Sequence, residues 1–169
     1  MNPFKALDDM RTIKQLLTES ERIARELGER EPGAEHLLLS AIGLPDGSGS
    51  RVMAAVGVDA EAIRAALVAE QADALVAVGV PREHAEALAV PAPLGDGDQP
   101  LLYGAGPTAR ELFRAAGDRA RGAKQRLAGA HVVAAVAEVE PGTVARVLDR
   151  LGVDRQRLAD AAQAELTAR

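Results

Sequence analysis

The chain has 169 residues, a formal net charge of −5 and no cysteine. That length holds one ordinary domain or two small ones. The missing cysteines exclude disulfides, thiolate nucleophiles and cysteine-based metal sites, and the negative balance gives nothing global to attract nucleic acid or an anionic membrane.

Aromatic residues make up only 2%, so the core must be built from Ala, Val, Leu and Ile. Ile13, Leu16, Leu17, Ile23, Ala24 and Leu27 follow a 3.6-residue period and predict a first helix that Gly28 ends. A second helix, about Ala34 to Gly43, is apolar nearly all round and should be central and buried. The stretch Pro45-Asp46-Gly47-Ser48-Gly49 predicts a turn. A short third helix, about Ser50 to Val56, turns Val52, Met53 and Val56 inward and stops at Gly57. Asp59 caps a fourth helix that buries Ile63, Ala66 and Leu67.

Residues 71–103 read as a linker. Its first part, ADALVAVGVPREHAEAL, is helical in pattern and is interrupted at Gly79 to Pro81. Its second part, PAPLGDGDQP, is expected to be an exposed, mobile loop that cannot pack. Helical periodicity then resumes. Leu112, Phe113, Ala116 and Ala120 mark one helix, and Val132, Val133 and Val136 the next. Val144, Val147, Leu148 and Leu151 mark a third, and Asp154 caps a fourth that buries Leu158, Ala162 and Leu166. No stretch alternates with period two, so an all-α fold is expected.

The two halves of this pattern repeat. DGSGSRVMAAVGVD, starting at Asp46, aligns with PGTVARVLDRLGVD, starting at Pro141. Arg51-Val52 matches Arg146-Val147, and Gly57-Val58-Asp59 matches Gly152-Val153-Asp154, each displaced by 95 residues (152 − 57). The same offset pairs His36 with His131. Upstream, Thr12, Leu16 and Ala24 match Thr108, Leu112 and Ala120 at an offset of 96, so one residue is lost just before the histidine. The chain therefore reads as a tandem duplication, 8–70 and 104–168, packed about a pseudo-twofold axis.

Several stretches invite sharper chemistry. TVARVLDRLG resembles a DNA-reading helix after a turn at Glu140-Pro141-Gly142. The earlier copy carries one arginine, and Asp149, Glu138 and Glu140 accompany Arg146 and Arg150, so a basic phosphate-binding face is not expected. Gly104-Ala105-Gly106-Pro107-Thr108-Ala109 fits G-x-G-x-x-A, but no strand precedes it and no acid follows about 20 residues on; Pro107 reads more simply as a helix start. Gly47-Ser48-Gly49-Ser50 reads as a flexible turn, not a nucleophile elbow. His36 and His131 read as buried or capping residues of the repeat, because only His84 remains to join them and no clustered carboxylates suit a metal. Arg119, Arg121, Lys124 and Arg126 form a basic cluster that reads as solvated surface or, more sharply, as a contact for an acidic partner. No lysine follows a glycine, so no phosphate-cradling Walker loop is present.

The layout resembles the N-terminal domain of the Clp AAA+ unfoldases of the ClpA/ClpC type. The resemblance rests on Glu35-His36-Leu37-Leu38-Leu39 with Arg51-Val52-Met53…Gly57-Val58-Asp59, and on His131-Val132-Val133 with Arg146-Val147-Leu148…Gly152-Val153-Asp154. It covers nearly the whole chain apart from the linker. Two departures stand out. The motif glutamate is Ala130 in the second copy, and the aromatic residue that opens each copy is missing, with Asp9 and Gly104 near those places.

The resemblance implies two tandem four-helix repeats and a non-enzymatic, stand-alone module without cofactor or metal. Such a module would bind client or adaptor proteins, or regulate a Clp unfoldase. Within it, Glu35 is implied as the ligand-binding residue, directed at phosphorylated arginine, while His36, Gly57, Asp59, His131, Gly152 and Asp154 are structural. An alternative role is sequestration of small peptide-like compounds that target such domains, and a second is a helix-turn-helix-like transcriptional regulator. MNPFKALDDM lacks the apolar region of a signal peptide, so a cytoplasmic location is expected, with no membrane or nucleic-acid partner.

Overall fold

The computed structural model describes residues 3–94, 105–139 and 142–168, with side chains from residue 9 onward. Among the described residues there are nine α-helices and no strand: α1 Pro3–Glu26, α2 Ala34–Ile42, α3 Ser48–Ala55, α4 Ala60–Ala77, α5 Arg82–Ala89, α6 Pro107–Gly122, α7 Gly129–Val136, α8 Thr143–Arg150 and α9 Arg155–Thr167. The first repeat is α1 to α4 and the second is α6 to α9. None of these helices is long and apolar enough to cross a membrane.

The two apolar helices lie at the centre. Every residue of α2 from Ala34 to Ala41 is buried, and α7 is buried at all but Ala134. They pack on each other, α1 covers α2, and α6 covers α7. Outside them α3 packs on α9, and α8 packs on α4. Each half therefore completes its core with helices from the other, and one continuous apolar cluster spans both.

Equivalent residues occupy equivalent environments. Leu16 and Leu112, His36 and His131, and Val52 and Val147 are all at most 1% exposed. Asp59 and Asp154 each accept the backbone N–H three residues on, at 2.8 and 2.7 Å, which caps α4 and α9. Gly57 and Gly152 both lie in the left-handed region, φ 77° and 66°, where a side chain would be strained. α6 starts on Pro107 as its first residue, the simple reading of that stretch.

Three expectations change. The turn before α3 is shorter than expected: Ser48 and Gly49 are helical and buried, not part of a flexible loop. α4 continues through residue 70 to Ala77 before Gly79, at φ 97°, turns the chain into α5. The first residues of the Pro/Gly-rich segment do pack: the Leu94 N–H donates to the Arg25 carbonyl at 2.9 Å, and the Ala92 carbonyl lies against Gly28. Residues 95–100 of that segment lie outside the described residues, as do Tyr103-Gly104 and Glu140-Pro141.

Candidate binding cleft at the repeat boundary

α2 begins at Gly33, whose N–H donates to His36 Nδ1 at 2.9 Å. Glu35 turns its carboxylate back over this first turn, with Oε1 3.1 Å from the same Nδ1. Gly33 makes that possible, because a Cβ there would fall 2.0 Å from Glu35 Oε1. Burial works to raise the Glu35 carboxyl, but the His36 ring beside it, its own backbone N–H and the Arg146 charge outweigh it. The net shift is downward, so Glu35 is held as a carboxylate.

Glu35 lines a cleft of about 360 Å³ between α2, α6, α7 and α8. Glu111, Arg119 and Glu138 supply further polar groups there, while Leu112 and Val144 are among the apolar ones. The cleft is thus apolar at its base and acidic at its rim. Arg119 is paired with Glu138.

The duplication predicts a mate for this cleft on the other side of the axis. It exists, with Thr12, Gln15 and Leu44 in place of Thr108, Glu111 and Val139, but encloses only about 180 Å³. Three exchanges account for the difference. Where α2 has Ala34 and Glu35, α7 has Gly129 and Ala130; where α8 has Val144, α3 has Gly49. A Cβ on Gly129 would fall 2.5 Å from the Ala41 carbonyl oxygen and 2.8 Å from the Gly49 nitrogen. Only glycine permits that approach. α3 therefore closes on α7, and the Ser48 hydroxyl accepts the Ala130 N–H at 2.9 Å while donating to Asp46 at 2.8 Å. On the open side the larger residues hold α8 off the start of α2. Of the two inherited clefts the wider is the one that carries Glu35.

Sequence reading singled out Glu35 but missed Ser48, Gly49, Gly129 and the cleft lining. The signal was present: comparing the copies for residue size, not identity, marks the same positions. His36 and His131 are buried in equivalent places, as expected, and His131 Nε2 meets Gln125 Oε1 at 3.2 Å. The basic cluster is partly neutralised, with Arg121 paired to Asp118 as well as Arg119 to Glu138. On α8, Arg146 and Arg150 both bond Glu70, at 3.0 and 2.9 Å, and Arg150 also pairs with Asp73. The arginines a DNA-reading helix would present are turned onto α4 instead.

Two four-helix repeats with their central helices packed together define an all-α tandem-repeat domain. Residues 11–86 match the Clp repeat (R) N-terminal domain. The chain resembles the crystal structure of the N-terminal domain of ClpD, a caseinolytic protease associated chaperone from Arabidopsis thaliana, over 92% of each chain, with a TM-score of 0.63 and 22% identity. At that identity the likeness establishes the fold. No curated protein matches the chain significantly. The family match falls on the copy that keeps the Glu-His motif, whereas the fold extends across the copy that lost it.

Proposed function

We propose that the chain is a non-enzymatic protein-binding module that receives a client or adaptor protein, or a Clp unfoldase, through the cleft at Glu35. The observation that carries this reading is the asymmetry of the two clefts. The open one holds a buried, ionised carboxylate above an apolar base, and its mate is closed by small residues and the Ser48 hydroxyl. A carboxylate there suits a guanidinium, which it can take in two parallel bonds. The family resemblance implies phosphorylated arginine as the ligand of such a site. A cleft of this size also admits a small peptide-like compound.

Calorimetric titration of a phosphoarginine peptide tests the reading. One site is expected, weakened about tenfold or more by Glu35→Ala, since charged hydrogen bonds are worth about 1.5–3 kcal/mol. Two equal sites, no binding, or binding indifferent to Glu35 would overturn it. Stronger binding of an uncharged cyclic peptide than of any arginine peptide would favour the small-compound reading.

A further inference from the structure

Between α1 and α2 the chain makes a left-handed turn at Gly28, and the turn carries Glu29 back toward the buried histidine of α2. Glu29, Glu35 and His36 each bring one ligand atom within 4.8 Å of the others. His36 is wholly buried, and its Nε2 has no hydrogen-bond partner. That nitrogen faces Glu29 Oε1 at 3.8 Å. An unsatisfied buried ring nitrogen is costly unless something binds it. Two carboxylates and one imidazole meet at this corner. Burial raises the Glu29 carboxyl, His36 lowers it, and the charge on Glu35 raises it further.

The second repeat builds the same corner with different residues. Gln125 stands where Glu29 does (125 − 29 = 96), and Ala130 stands where Glu35 does. Gln125 donates to the Leu166 carbonyl at 2.9 Å, which leaves its amide oxygen to accept from His131 Nε2 at 3.2 Å. The second copy thus has an amide and no carboxylate. The first has two carboxylates and an open nitrogen.

We propose that His36 Nε2 and the Glu29 carboxylate bind a divalent metal ion of the zinc class, with Glu35 orienting the imidazole. One nitrogen with carboxylate oxygen is a donor set that zinc and its neighbours accept and that magnesium does not favour. The ring proton moves from Nε2 to Nδ1, where Glu35 Oε1 at 3.1 Å accepts it; the Nε2 lone pair then goes to the ion. This is the carboxylate–histidine–metal arrangement in which the outer carboxylate fixes the tautomer. The Gly33 N–H loses Nδ1 as its acceptor, and the Glu35 carboxylate lies beside Gly33 to replace it. Two bonds of about 2.1 Å at a tetrahedral angle hold their donor atoms roughly 3.4 Å apart. The gap must therefore close by a few tenths of an ångström, which the half-exposed Glu29 side chain supplies by rotation. Water completes the shell. The site does not rest on the reading of the cleft, though both use Glu35.

The test is zinc chloride titrated into the full chain, followed by the ring ¹⁵N resonances of the histidines. His36 should move to the metal-bound shift with one equivalent, while His131 and His84 stay in place. Glu29→Gln copies Gln125 and so keeps a fold the second repeat already uses. It should weaken zinc about tenfold or more without moving His131. Glu35→Gln should weaken zinc by a similar factor while Nε2 remains the ligating nitrogen. The proposal is overturned if zinc does not saturate, if His84 or His131 takes it, or if Glu29→Gln binds as tightly as the parent. Equal competition by magnesium would also overturn the assignment.

Discussion

Arg51 of α3 reaches Glu165 of α9, Nη2 to Oε1, at 2.6 Å, and the pair recurs across the axis as Arg146 of α8 on Glu70 of α4 at 3.0 Å. Both members shift by 95 residues, 146 − 51 and 165 − 70. Each arginine crosses to the other repeat, so the pair is reciprocal in the way of a twofold interface built inside one chain.

The two pairs should not be equal in strength. Arg51 is well exposed and also donates to the Asp46 carbonyl at 3.3 Å, so Glu165→Gln should lower stability only slightly, as loss of an exposed pair does. Glu70 is buried much as Glu165 is, but it serves both Arg146 and Arg150. Glu70→Gln should cost more than Glu165→Gln, because it breaks two pairs, and lose part of that difference in high salt. Urea midpoints at low and high ionic strength measure both. Equal costs would show that the second arginine on Glu70 adds nothing.

How much of this was legible follows from what each feature depends on. The helices, their inward faces and the Asp59 and Asp154 caps depend on neighbours in sequence, and periodicity and capping chemistry revealed them. The duplication depends on identities, and those survive at His36/His131 and Val52/Val147. The open cleft depends on which residues are small at Gly49, Gly129 and Ala130, where two backbones from distant segments nearly touch. Ser48 was misread for the same reason: within GSGS it looks like loop, and only α7 lying across it makes it a buried acceptor. Glu29 beside His36 needs the left-handed turn at Gly28, which brings an exposed position back to the core.

Lys124 occupies a left-handed conformation, φ 56°, at the place where the first repeat has Gly28, φ 81° (124 − 28 = 96). A non-glycine residue there carries strain of about 1–2 kcal/mol, and glycine returns roughly half of any gain through the entropy of the unfolded chain. Lys124→Gly should therefore stabilise the domain by about 0.5–1 kcal/mol and raise Tm by a few degrees. Gly28→Ala should do the opposite, because a Cβ there also meets the Ala92 carbonyl oxygen at 3.0 Å. Calorimetric melting of the two variants gives shifts of opposite sign if the turn is built this way.

Gly129→Ala tests why one cleft is closed. The added methyl would fall 2.5 Å from the Ala41 carbonyl oxygen, a backbone atom that cannot swing aside. Overpacking of this kind costs about 1–3 kcal/mol and should push α3 away from α7. The mate substitution, Ala34→Gly, removes one small buried methyl from the wall of the wider cleft. It should cost no more than about 1 kcal/mol, the entropic penalty of glycine at a helix start. Denaturation of both variants checks the contrast, and similar costs would mean the glycine contact does not set the closure.

Gly33→Ala separates the position of the Glu35 carboxylate from its presence. The backbone at Gly33 is ordinary extended chain, φ −95° and ψ −174°, so alanine meets no strain there. What it meets is the carboxylate itself, 2.0 Å from the new Cβ. That carboxylate is the far end of a flexible side chain, so it is the group that yields. Glu35 should leave His36 and swing toward solvent, while α2, buried along its length, stays in place. Stability should change by no more than about 1 kcal/mol, the usual difference between glycine and alanine at a helix cap. Affinity for a phosphoarginine peptide should fall about tenfold, close to the effect of Glu35→Ala, although the glutamate is still there. Calorimetry on the two variants side by side measures this. A Gly33→Ala protein that folds and binds like the parent would mean that the carboxylate acts from solvent, and that its buried place beside His36 serves the fold alone.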